Sequence, residues 1–599
     1  MLIYGDAMAI PDKFRDMTVL QKSFRICMFA LIAMLIAVTA MSRIGFKNVS
    51  DFLPIFYFRR QDVWLAAILL FCWLKFASYK SAEGPKSFGS LSNFGEYRYA
   101  PALVAIALFI FCTAGHFLVL GGYHASRDEQ MAVFDAIIFA DGRLVWPIAE
   151  QWRSMAPALN QLFILPIGTH EAWVSAYLPV NAAVRAIFGF LGSQSFASPF
   201  FVAIGAVALW KIARILWPDR RDVAWLCLIL YAGSGQVLVT GMTAYAMNGH
   251  LGLNMLWLWL FLLNRRRTDC AALIVGFLAT GMHQPLFHPL FAAPILAILV
   301  LRRDWQRVAV YLLGYAVICL FWLYWPIAIS NLAQTSATET GAGLDYLTRL
   351  TDAIGEISFG GVMLMLANIF RFVAWQHLLL IPLAMVGIHT VLKAKDRFAT
   401  ALAVSLILPI PVLLLLLPYQ GHGFGYRYLH PVLGNAIILA GYAWKFMDPD
   451  DIWTKQTGQK LLVTTSAITF GLLVPLQLYF AHSFYAPWAA VDRAIAESKV
   501  DIALIDSTAA PFAADLVFNH PELSTKPLRL DARLLSAEDM IKVCGKGPSV
   551  LLVGADATSD IARYFGRALK SDADTKSSLG EFGPMQGCRT INAPEPLKQ

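Results

Sequence analysis

The sequence predicts an all-α polytopic membrane protein of about thirteen transmembrane helices with a small C-terminal α/β extramembrane domain. Three observations carry this. Of 599 residues, 58% are hydrophobic and only 15% charged, against about 25% charged in ordinary soluble domains. Apolar stretches near twenty residues recur from Phe24 to Phe480, each long enough to cross a hydrocarbon core of about 30 Å as a helix. After about Phe484 the composition shifts to alternating patterns. A soluble enzyme is thereby excluded, and so is a β-barrel, whose strands would alternate apolar and polar residues where these runs are apolar on every side.

The expected spans are 24–42, 62–79, 101–120, 197–216, 223–240, 249–263, 270–283, 285–301, 308–328, 371–392, 398–417, 431–447 and 461–482. The first is read as retained: its apolar run is too long for a signal peptide and no small-residue cleavage site follows it. The net charge of +8 is read first as a topology signal, so no nucleic-acid partner is implied. With the N-terminus inside, Arg220/Arg221, Arg265–Arg267, Arg302/Arg303/Arg307, Lys393/Lys395/Arg397 and Lys455/Lys460 all fall on the cytoplasmic side, as the positive-inside rule requires. One loop breaks the rule: residues 43–61 fall outside yet carry Arg43, Lys47, Arg59 and Arg60.

Spans 270–283 and 285–301 are short and meet at Met282-His283-Gln284-Pro285-Leu286-Phe287-His288-Pro289. Irregular polar backbone at such a bend requires protein or a wet cavity to satisfy it. His283, Gln284 and His288 are therefore read either as cavity-lining groups or as partners of backbone freed by the prolines. Two larger segments fall outside, 121–196 and the residues from 484 on, which divides the chain into a membrane domain, 1–483, and an outer α/β domain, 484–599. In the latter, a helix is expected over Trp488–Ser498, extended chain at Asp501–Asp506, Pro527–Leu535 and Ser549–Gly554, and helices at Phe512–Phe518, Ala537–Val543 and Ile561–Leu569. It contains no GxGxxG or P-loop. Six cysteines lie in or beside spans, where a thiol acts as a small apolar group; Cys544 and Cys588 alone lie in the outer domain and are the one plausible disulfide pair. No CxxC or HExxH occurs.

The most informative stretch is Gly121-Gly122-Tyr123-His124-Ala125-Ser126-Arg127-Asp128-Glu129-Gln130. Adjacent carboxylates just past a membrane exit, flanked by Arg127 and His124, have the composition of an acid/base or metal site. Met131, Phe134, Ile137 and Ile138 then recur at helical spacing before Asp141-Gly142-Arg143, which predicts an amphipathic helix lying on the outer membrane surface. Ala172–Gly192 is a second such stretch. Physics alone equally accommodates a solvated acidic pair favoured by a helix N-terminus. Trp152 and Trp173 read as membrane-interface aromatics rather than sugar platforms. Hard ligands such as Asp128, Glu129 and His124 suit magnesium or manganese, although nothing in their spacing forces a cation site.

An Asp-Glu pair in the first large outer loop, followed by a surface helix ending in Asp-Gly-Arg and a proline, resembles the GT-C polytopic glycosyltransferases, including the aminoarabinose transferase and protein mannosyltransferase-like branches. The late loop Pro418-Tyr419-Gln420-Gly421-His422-Gly423-Phe424-Gly425-Tyr426-Arg427-Tyr428-Leu429-His430-Pro431 also resembles the Arg-Tyr-x-x-Pro start of a late span in that family. The likeness covers about residues 100–450 in plan, with three spans before the acidic loop where most relatives have one. It implies inverting transfer of a sugar from a polyprenyl-phosphate or polyprenyl-diphosphate lipid to a glycan, lipid or protein acceptor on the outer face. Asp128 would be the general base, and Glu129 would assist it or bind a cation. Arg427, with His422 or His430, would hold the donor phosphate, and His124, Arg127 and Tyr426 would line the cavity. The alternative for Arg427 is an interfacial anchor. A transporter or flippase of lipid-linked sugars is the rival function; it would favour broken helices near the midplane and inverted repeats. Compact loops and the lack of a retention signal favour a bacterial inner membrane, with the outer domain in the periplasm.

Overall fold

The computed structural model describes residues 17–44, 49–78, 99–160, 163–165, 167–332, 359–445, 452–508, 510–545, 547–563 and 588–592. Lys47 and the end of the helix expected over Ile561–Leu569 lie outside them. The chain is a multi-pass helical protein. Among the described residues, six helices are long and apolar enough to cross a membrane alone: Val19–Arg43, Ala100–Leu118, Gln194–Leu216, Trp305–Asn331, Arg397–Leu416 and Gly458–Glu497. A bent pair, Arg221–Ala232 and Gly235–Gly241, makes a seventh if counted as one span. The count of thirteen is not reached on helix length, because several apolar runs fold as shorter helices, Phe287–Leu301, Phe359–Ala374 and Leu380–Ala394 among them.

The differences have local causes. The expected span 223–240 bends by 57° at Gly233-Ser234, and the expected span 371–392 is broken between Ala374 and Leu380. The two breaks bond to each other: Ser234 Oγ donates to Gln376 Oε1 at 2.7 Å, Gln376 Nε2 to Gln236 Oε1 at 3.0 Å, and the Gln236 N–H to the Trp375 carbonyl at 3.2 Å. Ser234 Oγ also accepts the Val237 N–H at 3.2 Å and Gln376 Nε2 donates to the Phe372 carbonyl at 3.0 Å, so polar side chains satisfy backbone that lipid could not. The described part of residues 43–61, expected as a loop, is helical: Val49–Tyr57 runs through a π-helical turn, Phe58–Asp62, into Val63–Ala77. The hairpin at 281–286 joins helices Arg266–Thr280 and Phe287–Leu301.

The helix of the acidic loop, Arg127–Ala140, does not lie on lipid. Its residues Met131, Phe134 and Ile138 are fully buried in a core with Trp173, Ile502, Leu504, Leu530, Met540 and Val543. Ala136 on another face packs on Ala182 and Ala186 of helix Val180–Phe190. An apolar stripe has the same sequence whether it meets a bilayer or another protein layer. Trp173, read as an interface aromatic, is likewise interior, with its indole N–H donated to the Pro521 carbonyl at 3.1 Å.

Two short strands, β1 (Trp146–Pro147) and β2 (Ala172–Trp173), pair antiparallel in the outer segment. Near the C-terminus, β3 (Ile502–Ile505), β4 (Leu528–Asp531), β5 (Ser549–Val553) and β6 (Arg589–Asn592) form a parallel sheet in the order β4-β3-β5-β6. Helix Ala537–Cys544 provides one of the crossovers such a sheet needs. The chain expected to be helical over Phe512–Phe518 is a 3₁₀ turn, Pro511–Leu516, and Trp488–Ser498 is mostly the end of helix Val474–Glu497 rather than a separate element. Cys544 and Cys588 form a disulfide, which ties β6 to that crossover helix.

Candidate active site

Gly121 and Gly122, at φ +67° and +70°, turn the chain at the end of the third expected span. The turn delivers Ser126, which caps the acidic-loop helix by accepting the Glu129 N–H at 3.3 Å. Ser126-x-x-Glu129 is half of a capping box, but the Glu129 carboxylate turns away from the cap. One oxygen accepts the Ala244 N–H at 2.9 Å and the other the Tyr485 hydroxyl at 2.8 Å, with no exposure to solvent. Burial acts to raise its carboxyl. His124, the Ala244 N–H and Tyr485 outweigh burial and hold it below the ordinary carboxylate value.

Asp128 faces elsewhere. Its carboxylate accepts hydrogen bonds from the Tyr177 hydroxyl and from Arg427, and its side chain keeps 12% exposure. Burial again acts to raise it; Arg427, His283 and the Tyr177 donor overcome that and hold it low, so the group is ionised at neutral pH. Arg427 lies in the late loop, where Gly423 at φ +149° lets the backbone pass close to the arginine: a Cβ there would lie 3.2 Å from its Cδ. Gly425 at φ +65° is tighter still, since a Cβ would stand 2.3 Å from Gln236 Oε1. The guanidinium lies 4.9 Å and 5.0 Å from the ring centres of Tyr245 and Tyr428, donates to the Tyr428 hydroxyl at 3.2 Å, and keeps its buried Nε–H unpaired. Two loops almost 300 residues apart therefore meet as a carboxylate, a guanidinium and three tyrosines.

His283 and Tyr426 also belong to this surround. The His283 ring lies 4.2 Å from that of Tyr177, and its buried Nδ1 has no partner; the Tyr426 hydroxyl is likewise buried and unpaired, as is Gln284 Oε1. Four other residues named from sequence do not reach the Asp128–Arg427 pair. His430 is fully buried between Asn248, 2.9 Å away, and Gln236, 3.4 Å away. His288 is held between Asn254 at 2.7 Å and Tyr315 at 2.6 Å. Arg127 turns to the C-terminal segment, donating to the carbonyls of Val517, at 2.6 Å, and Ala514, with its Nε 3.3 Å from Asp515 Oδ1. His422 Nε2 sits 3.2 Å from Asp515 Oδ2. Both are ties to the 3₁₀ turn Pro511–Leu516.

The cation set of Asp128, Glu129 and His124 is not assembled either. His124 Nδ1 is 3.8 Å from Glu129 while Asp128 faces Tyr177 and Arg427, and no group of three such ligands gathers among the described residues. Tyr177, Tyr245, Tyr485 and Asp515 carry the site's geometry, and no motif in the sequence marks them.

No protein-family model and no curated protein matches the chain. Among solved structures it is similar to ArnT from Cupriavidus metallidurans bound to undecaprenyl phosphate, at 14% identity and a TM-score of 0.44 over 71% of this chain and 86% of that one. It is similar also to the apo state of the same protein, at 14% identity and a TM-score of 0.41 over 70% and 85%.

Proposed function

We propose that the chain is an integral membrane glycosyltransferase that moves a sugar from a polyprenyl-phosphate-type lipid to a hydroxyl acceptor on the outer face, with inversion and with Asp128 as general base. The observation that carries this reading is the ionised Asp128 carboxylate held beside Arg427, whose Nε–H is still free to donate. An aspartate is a weak base, so it is effective only where the acceptor is already positioned and proton transfer is late. The acceptor oxygen would form the new bond to the anomeric carbon and pass its proton to Asp128. The bond to the phosphate oxygen would break, and the electron pair would leave with the lipid phosphate, stabilised by the planar Arg427 fork.

The buried Glu129 is a strut in this scheme rather than a second base, since both its oxygens are occupied. The C-terminal segment takes the part of a clamp: Asp515 reaches the acidic loop through Arg127 and the glycine loop through His422. The location we assign is a bacterial inner membrane, with the N-terminus cytoplasmic and residues 484–599 periplasmic. A lipid-linked sugar transporter remains the second reading, drawn from the paired helix breaks at 233–234 and 375–379.

Transfer from a panel of polyprenyl-linked sugars in membranes carrying wild-type protein or Asp128→Asn separates the two. A fall of about 10²–10⁴-fold with donor binding retained supports the base. Unchanged transfer removes Asp128 from the mechanism, and donor crossing the bilayer without transfer by wild type selects the transporter.

A further inference from the structure

Away from the candidate active site, an apolar groove of about 710 Å³ opens between helix Val63–Ala77 and the long helix Gly458–Glu497. Trp64, Ile68 and Phe71 form one wall at helical spacing, and Leu472, Leu476 and Phe480 line the other. Nearly all of the lining surface is hydrocarbon, so the groove selects an apolar chain and offers nothing to a polar solute. Each wall carries a π-helical turn, Phe58–Asp62 and Thr469–Leu473; such turns are rare and often sit at functional positions.

The first π turn places Arg59 and Arg60 just beyond Trp64, at the end of that wall. Both arginines are exposed. Arg59 donates to Ser42 Oγ at 3.4 Å, which brings it next to the exposed Arg43 at the end of helix Met17–Ile44. Among the described residues, no carboxylate pairs with any of the three. These are three of the four cations that break the positive-inside rule, and an anionic group at the outer interface would account for them. Packed aromatic rings lie between the Phe480 end of the groove and the Arg427 loop. Phe484, one turn on from Phe480, lies 5.1 Å from Tyr57 and 6.1 Å from Phe424, and Tyr57 and Phe484 are fully buried.

We propose that this groove is a binding site for an anionic two-chain phospholipid of the outer leaflet, separate from the lipid consumed in the reaction. An acyl chain lies against Trp64, Phe71 and Leu472, and the phosphate meets Arg60 and Arg59. The site does not depend on the transfer reaction, and its test does not read activity.

Full-length protein is reconstituted in nanodiscs, and the lipid it retains after exchange is quantified by native mass spectrometry, with phosphatidylglycerol, phosphatidylcholine and a polyprenyl phosphate as probes. Wild type is expected to retain phosphatidylglycerol over phosphatidylcholine by roughly tenfold, as attraction between two cations and an anionic lipid predicts. The Arg59→Ala/Arg60→Ala variant is expected to lose that preference, the Arg59→Lys/Arg60→Lys variant to keep it, and Leu472→Trp, which fills the groove, to lose both lipids. All the substituted side chains are exposed, and matched thermal melting checks that the variants are folded. No preference in wild type, a preference that survives removal of both arginines, or polyprenyl phosphate displacing phosphatidylglycerol at equal concentration overturns the proposal.

Discussion

Two aspartate–arginine pairs touch the same glycine-rich loop and differ mainly in what can reach them. In the first, Arg371 Nε lies 3.2 Å from Asp62 Oδ2, with the side chains 1% and 0% exposed. The Trp375 indole donates to the other Asp62 oxygen at 2.9 Å, and Arg371 stacks 4.0 Å from the Tyr57 ring centre while donating to the Gly423 carbonyl at 2.5 Å. In the second, Arg427 meets Asp128 with 6% and 12% exposure; a buried Nε–H without a hydrogen-bond partner is common to both arginines. The same charges thus serve two ends. A pair with no exposed edge fixes the loop, whereas a pair with an exposed edge can exchange partners with a ligand.

The sharpest way to break that contrast is Arg371→Ala. Removing one member of a closed pair leaves Asp62 buried without its cation, a loss of about 3–5 kcal/mol. Thermal melting in detergent is expected to fall far more for this variant than for Asp128→Asn. Equal melting temperatures would show that the two pairs are not different in kind.

Asp135 offers a third case, a buried carboxylate with no cation. Burial raises its pKa to about 7, although the Ser175 N–H and hydroxyl both donate to it, at 2.8 Å and 2.5 Å. Its value in the unfolded chain is the ordinary 3.8. Between about pH 4 and pH 7 the folded state therefore holds a proton that the unfolded state has released. Its contribution is complete below about pH 4 and is lost as pH rises to about 7, a change on the order of 4 kcal/mol. Asp135→Asn should remove this fall, so the wild-type and variant melting curves separate as pH rises. Parallel curves from pH 4 to pH 8 would show that Asp135 stays ionised and gains a partner.

Within the open pair, Tyr177→Phe removes the hydroxyl donor to Asp128. A hydrogen bond to a charged group is worth about 1.5–3 kcal/mol, so losing it should raise the Asp128 pKa. The acid limb of the transfer profile is expected to move to higher pH, with donor KM little changed. An unmoved limb would detach Tyr177 from the base.

How much of this was legible from sequence depends on whether the signal is local. The apolar runs and the acidic loop can be read directly, and so can the choice of Asp128 and Arg427, because a carboxylate pair and a lone arginine stand out beside apolar spans. Tyr177 is 49 residues from its partner and Asp515 is 93 from His422; only the fold brings either pair together. His430 and His288 were candidates because a histidine reads the same whether it faces a ligand or, as here, an amide in the core. Hydropathy likewise sees apolar runs but not the Ser234 and Gln376 side chains that allow two of them to break.

The smallest expected effect tests whether the C-terminal clamp belongs with the closed pair or the open one. Asp515 is 10% exposed, and its side chain joins Arg127 and His422. Its backbone carbonyl separately accepts the Tyr123 hydroxyl at 2.7 Å and the Gln130 amide at 2.6 Å. Asp515→Ala removes the first set and leaves the second. Arg127 also keeps its bonds to the Val517 and Ala514 carbonyls and to Gln130 at 3.0 Å, so no buried cation is left without acceptors. The loss should therefore be close to that of an ordinary hydrogen bond, about 1 kcal/mol, with a modest fall in transfer because both loops retain their main anchors. A melting shift as large as that of Arg371→Ala would mean that the Asp515 carboxylate, rather than its carbonyl, holds the acidic loop to the C-terminal turn.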